Sequence, residues 1–266
     1  MTNVVFIHGL WISHTAWQPW IDHFAAQGHR AVAPAWPGEQ ASPTAARENP
    51  AAQAGFGIDA LTEHFAAVLE AFDTPPVVIG HSFGGLIAQK LLGQDKAAAA
   101  IAIDPAPIKG VKPLPVAQLR SAFPVLGNPL NRGRAKALTA AQWRYAFGNA
   151  LTDEESAALW QQWSIPSPGK PLFEAAAANF APNSPAKVHT GNGSRGPLLI
   201  TAGTADHTVP YASAKAAHRL YEKSGAVTDF HEFEGRGHSL TIDHGWRDVA
   251  DTALAWMARR NVATRV

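Results

Sequence analysis

Residues 76–85 read Pro-Val-Val-Ile-Gly-His-Ser-Phe-Gly-Gly. Val77, Val78 and Ile79 form a short apolar run of strand type. It stops at Gly80-His81-Ser82-Phe83-Gly84, and Leu86, Ile87, Leu91 and Leu92 then recur at helical spacing. A strand, a tight turn and a helix therefore meet at one serine. Such a turn holds its central residue in a strained backbone, and the chain must pass close to itself on both sides. Gly80 and Gly84 supply the two small positions, and Gly85 lets the helix begin close to its neighbours.

Upstream, Val4-Val5-Phe6-Ile7 has the unbroken β-branched and aromatic character of a strand buried on both faces. It ends in the turn His8-Gly9-Leu10-Trp11. A helix is expected over residues 16–27, with Trp17, Trp20, Ile21 and Phe24 on one face and Gly28 as its stop. Residues 30–33 form the next strand, closed by Pro34-Ala35-Trp36-Pro37-Gly38. Residues 39–56 show no period and are read as loop, and a helix over 58–72 leads back to the opening stretch.

Downstream, Ala99-Ala100-Ile101-Ala102-Ile103 is another buried strand, ending at Asp104-Pro105. From 105 to 195 the sequence has no strand-like run, many prolines, and helical pieces at 140–147, 153–163 and 172–179. This block reads as an inserted helical cap, with 1–104 and 196–266 as the core domain. Alternation resumes with a strand at 198–201, a helix over 211–224, a strand over 227–233 and an amphipathic helix over 246–260. Six strands alternating with helices imply an α/β fold with a mostly parallel sheet flanked by helices.

Composition narrows the function. The formal charge is +1 with no basic stripe, which argues against nucleic acid as a partner. The chain has no cysteine, so thiol catalysis, disulfides and cysteine-ligated metals are excluded. No apolar run approaches a membrane span, and Met1-Thr2-Asn3 leads straight into a strand with no signal peptide visible. A soluble cytoplasmic protein is the expectation. Oligomeric state leaves no trace in the sequence.

A serine hydroxyl needs a base within hydrogen-bond reach, and that base needs an orienting carboxylate. His238 lies in the loop Gly235-Arg236-Gly237-His238-Ser239 after the last strand, and Asp206 follows the strand at 198–201 in Gly203-Thr204-Ala205-Asp206. Parallel strands present their carboxyl ends on one edge, so Ser82, Asp206 and His238 are expected to converge there. Asp104 also ends a strand and is a rival carboxylate, although Pro105 behind it suits a structural turn. No metal-ligand spacing is present, and neither a metal nor another cofactor is expected.

These features together resemble the α/β-hydrolase superfamily: the Gly80–Gly85 turn, the His8-Gly9 turn, the late Gly-x-x-Asp and the Gly-x-Gly-His loop, in the order Ser, Asp, His. The resemblance covers nearly all of the chain outside residues 105–195. It implies Ser82 as nucleophile, His238 as base, Asp206 as orienting acid, and an oxyanion hole from the backbone N–H groups of Leu10 and Phe83. It implies a carboxylic ester or lactone as substrate. The sheet departs from the family by starting at what is usually the third strand.

Other members of the superfamily set the alternatives. Hydroxynitrile lyases carry a lysine after the catalytic histidine, where this chain has Ser239. Cofactor-free haloperoxidases, in practice perhydrolases, share a Gly-x-Ser-x-Gly-Gly turn with an aromatic residue after the serine. Members with an aspartate nucleophile are excluded by Ser82. A ligand receptor retaining the three residues is the reading from outside enzymology. Nine tryptophans include Trp11 and Trp36 after strand ends and Trp143 in the cap. With His81 beside the turn and Phe123, Phe147 and Phe173 in the cap, they suggest an apolar pocket.

Overall fold

The computed structural model describes residues 1–112 and 115–262. Its main sheet has six strands: β1 (Asn3–Ile7), β2 (Arg30–Val32), β3 (Val77–His81), β4 (Ala99–Ile103), β7 (Leu198–Gly203) and β8 (Thr228–Phe233). All neighbouring pairs are parallel, in the order β2-β1-β3-β4-β7-β8. The two remaining strands, β5 (Ala135–Lys136) and β6 (Ser167–Pro168), pair with each other. Ten α-helices are described: α1 (Gln18–Ala26), α2 (Pro43–Glu48), α3 (Ile58–Glu70), α4 (Phe83–Gly93), α5 (Val116–Leu126), α6 (Ala140–Ala146), α7 (Asp153–Trp163), α8 (Lys170–Ala176), α9 (Tyr211–Arg219) and α10 (Trp246–Arg259).

The period of two in the strands sorts their side chains onto two cores. Val4 and Phe6 of β1, Val77 and Ile79 of β3, and Ile101 and Ile103 of β4 pack with Trp20 and Phe24 of α1 and Trp256 of α10. Val5, Ile7, Val78, Ala100 and Ala102 face the other way, toward Leu61 and Phe65 of α3 and Leu86 and Ile87 of α4. Alanine on that face of β4 leaves room for α4, every residue of which is buried. β1 sits between β2 and β3, so the chain order reverses there. Such a reversal opens a crevice at the strands' carboxyl ends. The His8–Leu10 turn and Ser82 flank that crevice.

Between β4 and β7 lie α5 to α8 and no strand of the main sheet. The block is not free of strands, as the sequence suggested: the two-residue β5–β6 ladder is too short to produce a period. It shares one continuous core with the α/β layers, since Val125, Trp143, Phe147 and Ala178 belong to the same cluster as Val5 and Leu86. Glu174 of α8 accepts from Ile58 N at 2.7 Å and so caps α3. Trp11 N donates to Ser167 Oγ at 2.7 Å, and Trp11 Nε1 to Lys136 O at 3.0 Å.

A second correction concerns residues 39–56, which contain α2 and a 3-10 turn at Pro50–Gln53. Ser42 caps α2 by accepting from Ala45 N, with Pro43 in its first turn. A helix of 6 residues is too short to show helical periodicity. Among the described residues no helix is long and apolar enough to cross a membrane.

Candidate active site

Ser82 joins β3 to α4 with φ 54° and ψ −119°, a conformation side chains rarely adopt. The surrounding backbone fixes it there. Ser82 N donates to Ile103 O at 2.9 Å, and Ser82 O accepts from Ala106 N at 2.9 Å and Leu86 N at 3.1 Å. The flanking glycines are required by contact: a Cβ on Gly80 would stand 2.1 Å from Gly84 O, and one on Gly84 2.1 Å from Ile7 O. The turn thus packs its own backbone against the end of β1.

Asp206 and His238 come from the loops after β7 and β8. His238 Nδ1 lies 2.6 Å from Asp206 Oδ2, and neither side chain is exposed. Asp206 Oδ1 accepts from Thr208 N at 2.6 Å and Val209 N at 2.8 Å. His238 O accepts from His81 Nε2 at 2.9 Å, and Phe147 meets the His238 ring edge to face at 4.9 Å. These contacts fix the ring's position. Burial lowers the His238 pKa to about 3, so its resting form is the neutral base. Its Nε2 has no hydrogen-bond partner among the described residues. The bond to Ser82 that the sequence reading asks for is therefore not formed in the resting arrangement, and catalytic hydrogen bonds often close only when substrate binds.

The backbone N–H groups of Leu10 and Phe83 have no acceptor among the described residues. Phe83 N is also the first of α4, where the helix dipole presents its positive end. Trp11, with φ 64°, turns the chain away immediately after Leu10.

A cavity of about 400 Å³ adjoins Ser82 and Phe83. Its walls are mainly apolar, including Trp11, Ile108, Val111, Leu119, Leu172 and Phe180, with Thr208 and Asn179 among the polar groups. Of the pocket residues expected from sequence, Trp11 lines it. Trp36 instead stacks on His8 at 4.7 Å, and His81 lies buried against His238. Trp143 is fully buried and stacks on Phe147 at 4.2 Å; Phe147 packs on His238 and Trp11 rather than on the cavity. Phe173 packs at the edge of the core, and Phe123 points to solvent at 69% exposure.

Two acidic groups acquire roles that sequence reasoning missed or left open. Glu39, in the loop after β2, is buried beneath the first turn. Its Oε2 lies 2.8 Å from His8 Nε2 and accepts from Trp36 N at 3.1 Å, while Oε1 accepts from His14 N and Nδ1 at 2.9 and 2.8 Å. Burial pushes its pKa up, but the charge of His8 and the hydrogen bonds from His14 and His8 outweigh this and hold it well below the usual carboxylate range. A glutamate in a polar loop carries no motif, so nothing in the sequence marks it. Asp104 is the other. Polar atoms of His81, Asp104 and His238 all lie within 4.8 Å of one another, and several are already committed. His81 Nε2 is engaged by His238 O, and His238 Nδ1 by Asp206.

A sequence family described as "Alpha/beta hydrolase family" matches residues 4–252. Among curated proteins, none matches this chain. Similar solved structures include an extracellular alpha/beta-hydrolase from a Paenibacillus species, described as sharing structural and functional homology with tobacco salicylic acid binding protein 2. It is 18% identical over 96% of this chain and 98% of that one, with a TM-score of 0.64. The monoacylglycerol lipase of Paleococcus ferrophilus is 20% identical over 97% and 94%, with a TM-score of 0.62. The putative non-heme bromoperoxidase BpoC of Mycobacterium tuberculosis H37Rv is 18% identical over 98% and 93%, with a TM-score of 0.67. At these identities the structures speak for the fold alone.

Proposed function

This chain belongs to the alpha/beta hydrolase family, and from that premise we propose that it is a serine hydrolase acting on a carboxylic ester or lactone with an apolar part. The observation that carries the reading is the buried Asp206–His238 pair with Nε2 left free, on the same sheet edge as a serine held in a strained turn. Asp206 keeps the proton on Nδ1, so Nε2 is the atom able to accept one. Substrate binding brings Ser82 Oγ to Nε2. Oγ bonds to the carbonyl carbon as its proton passes to His238, and the carbonyl oxygen takes the negative charge.

The N–H groups of Leu10 and Phe83 receive that oxyanion. The C–O bond to the alcohol then breaks, with the leaving oxygen taking the proton from His238. Water repeats the sequence on the acyl-enzyme and restores Ser82. The mainly apolar cavity wall, with Lys112 among its lining residues, favours an apolar acyl or alcohol part, and residues 105–195 act as the cap that shapes it. No step calls for a cofactor.

Ser239 favours hydrolysis over cyanohydrin cleavage. Its hydroxyl donates to Asp243 at 3.3 Å, so no cation follows His238 toward the site. The test is Ser82→Ala assayed on short p-nitrophenyl esters, where a loss on the order of 10³-fold or more in kcat is expected. Undiminished turnover refutes the proposal.

A further inference from the structure

Large apolar side chains left in solvent concentrate in the cap: Val116, Leu119, Phe123, Leu130 and Phe180 stand at 48–87% exposure. A single exposed apolar residue is ordinary, whereas these are grouped. Val116, Leu119 and Phe123 recur at i, i+3 and i+7 and so form one stripe along α5, open to solvent. Asn131 Nδ2 donates to Val125 O at 3.0 Å, which ties the turn carrying Leu130 to the same helix. Leu119 and Phe180 also line the cavity beside Ser82, so the stripe runs into the cavity mouth. Phe123, expected from sequence in the pocket, belongs to this outer surface instead.

The charge around the stripe is one-sided. Between Asp104 and Asp153 the chain carries seven basic residues and no acidic one, although the whole chain is balanced at +1. Between Glu174 and Asp206, the stretch holding Phe180, there is again no acidic residue. Of the seven, Arg144 pairs with Asp153, and the other six have no carboxylate partner among the described residues. Arg120 follows Leu119 on the exposed side of α5, its guanidinium 4.0 Å from the centre of the Tyr145 ring. Lys112 is exposed and lines the cavity with Leu119 and Phe180. Lys109 Nζ donates to Ala181 O and Pro182 O, directly after Phe180.

We propose that this face of the cap adsorbs to the surface of an anionic lipid bilayer. Val116, Leu119, Phe123 and Phe180 enter the acyl boundary, and Lys112 and Arg120 meet the headgroup phosphates. Cations alone would suit any polyanion, and apolar groups alone any hydrophobic partner. Their combination on one exposed helix matches a layer in which anionic charge overlies hydrocarbon. Adsorption of this kind needs no spanning helix. The cavity mouth then opens toward the lipid, and an apolar ester can pass from the bilayer to Ser82 without crossing water. That consequence, unlike the adsorption itself, rests on the hydrolase reading.

Co-sedimentation with vesicles tests the adsorption without any turnover. The full-length protein should bind vesicles of phosphatidylcholine mixed equally with phosphatidylglycerol about tenfold or more tightly than pure phosphatidylcholine, since each cation near an anionic surface contributes about fivefold. Raising the salt from about 0.1 M to about 1 M should remove most of that preference, because screening shortens from ~10 Å to ~3 Å. Arg120→Gln should weaken binding about fivefold. Val116→Gln combined with Phe123→Gln should weaken it on the order of 10- to 100-fold. Turnover of a short water-soluble p-nitrophenyl ester should be unchanged in that double variant, because neither side chain lines the cavity.

Failure of wild type to bind the anionic vesicles at low salt overturns the proposal, and that measurement needs no variant to fold. Undiminished binding by the double variant overturns it as well. So does a wild-type dimer in solution that the double variant dissociates, because the stripe is then covered by a second copy. Ser82→Ala should bind vesicles as wild type does. Retained ester turnover in Ser82→Ala would refute the serine mechanism while leaving vesicle binding to judge the adsorption by itself.

Discussion

Glu39 and His8 face each other across 2.8 Å with almost no exposure, directly behind the Gly9–Leu10 turn that we assign to the oxyanion. Four hydrogen-bonding contacts on one carboxylate tie together the ends of β1 and β2 and the turn at His14. Removing the carboxylate leaves the buried donors of His14 and Trp36 without their acceptor, so Glu39→Ala is expected to cost on the order of 3 kcal/mol in urea unfolding. The folded pKa of Glu39 lies below its unfolded value, so its contribution is complete above the ordinary carboxylate range and fades as pH falls below about 4. The stability gap between wild type and Glu39→Gln should therefore narrow on acidification. A gap that is constant across that range would contradict the ionised carboxylate.

The base itself predicts a pH profile. Burial lowers His238 to about 3, so the neutral form persists far below the usual histidine range. In kcat/KM against pH, no acidic limb should appear near about 6.5, the ordinary histidine value. A limb there would mean that His238 titrates as an exposed imidazole.

A single methyl group tests the coupling of the first turn to the nucleophile. A Cβ on Gly9 would stand 2.7 Å from Ser82 Cβ and 3.3 Å from Ser82 Oγ. Gly9→Ala must displace one side or the other, and a misplacement of this size is expected to lower kcat on the order of 10²-fold. Circular dichroism that matches wild type would assign the loss to the site rather than to folding.

The cavity sets the fourth expectation. With apolar walls of about 400 Å³, each added methylene that finds room should raise kcat/KM about fourfold, from ~0.8 kcal/mol of burial per CH₂. The series should then level off. Ala175→Phe, on the wall contributed by α8, should move that plateau to shorter chains. An unchanged profile would show that the chain binds elsewhere.

The sequence carried the fold because its strands are buried runs separated by turns with distinct chemistry, and because parallel strands bring their ends to one edge. Ser82, Asp206 and His238 were legible as candidates for that reason: each follows the carboxyl end of a strand. What failed was reading burial from residue type. Trp36, Trp143 and Phe147 are large and lie near the site, yet stacking on His8, on each other and on His238 withdraws them from the cavity. Helix α2 and the β5–β6 ladder are too short to show a period. Glu39 and Asp104 depend on contacts between distant segments, which no local pattern records.

Ser82 is expected to carry the acyl group. Labelling with a fluorophosphonate, followed by peptide mass mapping, tests it most directly. One adduct per chain is expected, on Ser82, with ester turnover abolished in proportion to labelling. Turnover that continues with no adduct on Ser82, or an adduct found only on another residue, would contradict it.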